Sequence, residues 1–109
     1  MQSKLESIKG AFDKMKGDGF NTNSNLRWGF FFFNDGQTGL KKVYDELKEH
    51  SYVLESLEKV DFDEWRLHVS KMDTLSPEKL HKRNIAFNKL ADFCKGKLYD
   101  GWDVEKISV

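Results

Sequence analysis

The stretch Leu26-Arg27-Trp28-Gly29-Phe30-Phe31-Phe32-Phe33 decides the fold. Successive side chains of a strand point to opposite faces. Trp28, Phe30 and Phe32 therefore share one face, and Phe31 and Phe33 share the other. A half-exposed strand has one apolar face; this one has two. It reads as a central strand covered on both sides, ended by Asn34-Asp35-Gly36. A Phe left in water forfeits roughly 1.5–3 kcal/mol, against a total domain stability of about 5–15 kcal/mol. Bare rings on either face would be expensive, so each face needs a cover.

Upstream, Leu5, Ile8, Phe12 and Met15 recur at helical spacing with charges between them, and Gly17-Asp18-Gly19 stops the helix. Ser3 and Glu6 have the spacing of a capping box. Downstream, Leu40, Val43, Tyr44 and Leu47 mark a second amphipathic helix that ends at His50-Ser51. Tyr52 to Ser56 reads as a strand, and residues 57–63 as a charged connection. Trp65, Leu67 and Val69 alternate with Arg66, His68 and Ser70, giving a strand with one apolar face. Ser76-Pro77 opens a third helix, with Ser as N-cap and Pro in the first turn. Its stripe is Leu80, Phe87, Leu90, Ala91 and Cys94, and it is expected to run to about Lys95 and stop at Gly96. Leu98 to Ile107 is the last strand, interrupted by Asp100-Gly101.

This order predicts an α+β fold: a ferredoxin-like βαββαβ antiparallel sheet over residues 26–107, with an additional N-terminal helix at 1–17. Residues 1–109 form a single domain. Two helices cover one sheet face in that topology. The second face is expected to lie under the N-terminal helix or a second subunit, leaving monomer and homodimer both open.

Composition narrows the function. Eighteen basic and eighteen acidic side chains cancel in 109 residues. A nucleic-acid binder usually has a basic footprint, so direct RNA or DNA binding is disfavoured. RNA-recognition modules share this strand order and stack bases on sheet aromatics, but Trp28 to Phe33 contains no basic residue, and core packing is the better reading. The residues Met1 to Lys16 lack a continuous apolar core of the signal-peptide kind, and no run approaches a membrane span. Cys94, the single cysteine, can form no internal disulfide and reads as a buried thiol in a cytoplasmic protein.

No catalytic, cofactor or metal motif is present. His50, His68 and His81 are scattered, whereas a zinc site needs three or four convergent ligands. The acidic residues Asp61, Asp63 and Glu64 read as a solvated connection. The remaining candidate is Tyr99-Asp100-Gly101-Trp102. Gly inside a strand marks a bulge or a close backbone approach. Trp102 is then either a core anchor fixed by that bulge or, with Tyr99, part of a partner-binding patch, since Trp and Tyr are enriched at binding hot spots.

A helix ending in Asp18-Gly19, an aromatic strand, a helix, a Tyr52-led strand, a long helix and the terminal Tyr99-Asp100-Gly101-Trp102 together resemble the RraB family. The resemblance implies a small, cytoplasmic, bacterial, non-catalytic regulator without cofactors. It would bind ribonuclease E or another degradosome component and inhibit RNA processing through protein–protein contacts. Tyr99, Asp100, Gly101 and Trp102 are the candidate partner-binding residues. The best-known members are strongly acidic, whereas this chain is neutral. The other readings are an immunity-like or similar interaction module with a different partner, and a single-stranded RNA-binding domain.

Overall fold

The computed structural model describes residues 1–94 and 98–107. The elements are α1 (Leu5–Gly17), β1 (Leu26–Asn34), α2 (Gln37–Lys48), β2 (Val53–Asp61), β3 (Glu64–Asp73), α3 (Pro77–Phe93) and β4 (Leu98–Glu105). The expected helix stop at Lys95 and Gly96 lies outside the described residues. The strands form one sheet in the order β2-β3-β1-β4, with antiparallel pairing throughout. This is the ferredoxin-like order with an N-terminal helix added, as the pattern of elements predicts.

Local chemistry sets the boundaries. Ser76 caps α3, its Oγ accepting from the Lys79 backbone N–H at 3.2 Å, and Pro77 opens the helix. Ser51 ends the α2 exit with φ at 70°, a left-handed conformation that continues neither helix nor strand. The supposed capping box does not form. Lys4 is the N-cap of α1 and makes no side-chain cap bond, because Ser3 is engaged with α3 instead. The expected connection at 57–63 is strand and tight turn: β2 runs to Asp61 and pairs with β3, making a hairpin. Its charged residues lie on an edge strand, which water can reach, so their polarity does not oppose strand structure.

β1 lies between β3 and β4, as its aromatic content requires. Trp28, Phe30 and Phe32 are essentially fully buried. Phe30 meets Phe87 of α3 edge-on at 4.9 Å, and Phe32 packs on Phe87 and Tyr99. Phe12 of α1 stacks on Trp28, with ring centroids 5.7 Å apart. All three helices therefore cover the same face. This corrects the expectation that α1 would cover the second face. The Ile8, Phe12, Met15 stripe is drawn to Trp28, which α2 and α3 leave uncovered. Phe31 and Phe33 remain half-buried on an open face. Local neighbours, rather than a second layer, shield Phe31: the His68 ring stacks on it at 4.3 Å, and the Arg66 guanidinium lies 5.6 Å from its centre.

Candidate functional site

The segment Tyr99-Asp100-Gly101-Trp102 contains the bulge. Phe32 pairs with Tyr99 and Phe31 with Gly101, so Asp100 is the extra residue. In a regular strand, residues three apart face opposite sides. One inserted residue turns Tyr99 and Trp102 to the same side, where both join the helix-covered core. Gly101 has φ at 145°, in a region that favours glycine. Asp100 is exposed, and Trp102 is half-buried with its ring 5.7 Å from that of Trp28.

Tyr99 is 1% exposed, and its hydroxyl donates to Oδ1 of the fully buried Asn84 at 2.5 Å. Asn84 Nδ2 donates to Ser3 Oγ at 3.3 Å, and Ser3 lies 2.8 Å from His81 Nδ1. This chain of bonds ties the residues before α1 to α3 and β4. Burial pushes the Tyr99 phenol well above its ordinary pKa and that of Tyr52 up to about 12. Both phenols remain neutral at physiological pH. Of the four candidate residues, Tyr99 thus has its side chain inside the protein, while Asp100 and an edge of Trp102 reach the surface.

The other exposed feature is the open sheet face. Arg27, Gly29, Phe31 and Phe33 of β1 lie beside Arg66, His68 and Ser70 of β3, with Gly101, Asp103 and Glu105 of β4 on the far side. A Cβ built on Gly29 would sit 2.1 Å from Asp103 Oδ1 and 2.7 Å from His68 Nε2, so a larger residue here would displace those side chains. The carboxylate and the imidazole thus converge above bare backbone. Burial raises the Asp103 pKa, and the His68 charge opposes that rise. Ser70 Oγ donates to Glu55 Oε1 at 2.6 Å, Arg66 pairs with Glu58 at 2.5 Å, and Arg27 pairs loosely with Glu105 at 3.8 Å. Two arginines face Glu55, Glu58, Asp103 and Glu105, so acid outnumbers base on this face. Sequence reading missed the site because it spans four strands. The second aromatic face of β1 was its one visible signal.

Among the described residues, no group of His, Cys, Asp or Glu is arranged to hold a metal ion, and no helix is long and apolar enough to cross a membrane. His50 lies in the turn after α2, His68 in β3 and His81 in α3. Cys94 is buried, and burial pushes its thiol pKa up, away from the reactive thiolate form.

Comparison with known proteins gives a match to the family described as "Regulator of ribonuclease activity B", RraB, over residues 6–104. No curated protein matches the sequence.

Proposed function

Because the chain belongs to the RraB family, we propose that it regulates a ribonuclease of the E type by binding it, without catalysis of its own. The effect is inhibition of RNA processing, and the setting is the bacterial cytoplasm. The family description supports the regulatory role. The contact surface we assign is the open sheet face, bordered by the exposed Asp100 at the bulge. The observation that carries this assignment is the combination of half-buried Phe31 and Phe33 with an excess of carboxylates around them. Such a face suits a protein segment with basic and apolar side chains, in which charge complementarity guides encounter and register. It suits RNA poorly, because phosphates would meet Glu55, Glu58, Asp103 and Glu105, and His68 already occupies one side of the Phe31 ring.

An RNA-cleavage assay with a purified ribonuclease E-type enzyme tests the proposal. Cleavage should fall as the chain is added and level off at a fixed stoichiometry. The doubly charge-reversed Glu55→Lys/Glu58→Lys should restore cleavage in a chain that still unfolds cooperatively, with a modest stability loss from the broken Ser70 and Arg66 contacts. If the wild-type chain neither binds the enzyme nor changes its rate, the regulatory reading fails. If the charge-reversed protein inhibits as well as the wild type, regulation stands and the open face is not the contact.

A further inference from the structure

The helix layer has a cavity of about 470 Å³ between the end of α2, the start of β2, β3 and the first half of α3. Lys71, Lys79, Lys82 and Arg83 line it, above a floor that includes Tyr52 and Phe87. Its lining contains no carboxylate. Lys79, Lys82 and Arg83 stand at i, i+3 and i+4, so one helix face presents them together. Lys71 reaches the same cavity from β3, its Nζ 5.2 Å from the centre of the Tyr52 ring. Arg83 is held by Asp73 at 3.1 Å. Among the described residues, the three lysines have no carboxylate partner; even Glu78, one turn before Lys82, makes no ion pair with it.

Like charges at these helical spacings destabilise a helix. Asp73 offsets Arg83, but no carboxylate among the described residues offsets Lys79 and Lys82, and a local rule broken without compensation points to a functional position. An anion would supply the missing compensation. The concavity is a shallow groove open to solvent, and its apolar floor with a few convergent polar groups is the chemistry of small-ligand sites. The neighbouring cavity, which shares Lys79, is lined by Asp13, Thr22, Asn23 and Thr74 as well as Lys9 and Lys16. The carboxylate-free stretch of this basic surface thus ends at Lys79, beyond which Asp13 lies between Lys9 and Lys16.

We propose that this cavity binds a small organic phosphate of nucleotide size, with its phosphates held by Lys71, Lys79 and Lys82 and its ring against Tyr52 and Phe87. This site is separate from the open sheet face, so ligand binding here and ribonuclease contact there can fail independently. Calorimetric titration of the full chain with ADP, inorganic pyrophosphate and adenosine tests the proposal. ADP should bind saturably at one site, pyrophosphate more weakly, and adenosine not at all. Lys71→Ala and Lys82→Ala should each weaken ADP about tenfold, the loss of one charge-assisted contact. Lys14→Ala, outside the cavity, should leave it unchanged. Four results would overturn the proposal: no binding of ADP or pyrophosphate, equal binding of adenosine, indifference to both cavity substitutions, or binding of an oligoribonucleotide through these lysines where ADP does not bind.

Discussion

Tyr99→Phe removes one oxygen atom and tests whether the Tyr-Asp-Gly-Trp segment is held from inside. The hydroxyl donates to Asn84 Oδ1 at 2.5 Å, with both side chains sealed from water. The aromatic packing of Tyr99 on Phe32 and Phe87 survives the substitution. The loss is therefore that of one buried acceptor left unsatisfied, about 1–3 kcal/mol. For a domain of this size, each kcal/mol is worth about 4–8 °C in Tm, so melting should fall by roughly 4–24 °C. Urea denaturation should show a lower midpoint with an unchanged slope, because the surface exposed on unfolding is the same. The double substitution Tyr99→Phe/Asn84→Leu removes both partners and should recover part of the loss, since neither buried group of that pair is left unsatisfied while the Asn84–Ser3 bond is lost as well. Ribonuclease binding should be unaffected, because the hydroxyl does not reach the surface. A loss below about 0.5 kcal/mol, the range of ordinary surface changes, would refute the buried bond. Lost binding at full stability would refute the structural role of Tyr99.

Phe12→Ala removes the ring stacked on Trp28 and should cost about 3–5 kcal/mol in urea denaturation; a cost under 1 kcal/mol, typical of an unburied position, would show that α1 does not cover the helix-side core. Asp103→Asn tests the pH dependence of the open face. Burial raises this carboxyl's pKa in the folded chain, so the native state keeps a proton that the unfolded chain has lost. Its contribution to stability is therefore greatest below the ordinary carboxylate range and declines as pH rises through the raised value. The substituted protein should lack that decline when urea midpoints are compared across the acidic range, and identical pH profiles would contradict the assignment.

Much of the fold was legible because its signals are local. The two-faced aromatic run predicted a central strand, and Ser76-Pro77 gave the start of α3. The Asp-Gly pair predicted a bulge. What could not be read was which sheet face α1 would choose. Both faces of β1 were apolar, and the deciding contact, Phe12 on Trp28, joins residues whose proximity depends on the whole helix layer. Ser3 shows the same limit. Its spacing to Glu6 matched a cap, but long-range bonds to Asn84 and His81 took the hydroxyl. The open-face site was hidden for a related reason: Glu55, His68, Ser70 and Asp103 meet only through strand register.

Net charge was the least informative number in the sequence, and geometry explains why. The chain sums to zero, yet carboxylates prevail on the open sheet face and unpaired lysines gather in the helix-layer cavity. At physiological ionic strength, electrostatic influence decays over about 8 Å. The smallest dimension of the molecule is 27 Å, so the faces do not neutralise each other for an incoming partner. A basic protein segment approaching the sheet meets local acid, and a phosphate approaching the helices meets local base. Neutrality is therefore compatible with a regulator that recognises a basic target, provided its acidic residues are grouped by strand pairing. Grouping of this kind also holds the carboxylates at fixed separations, so it selects for register as well as sign. Salt should weaken contact at the open face according to the charges displayed there, and the zero total for the chain has no bearing on that dependence.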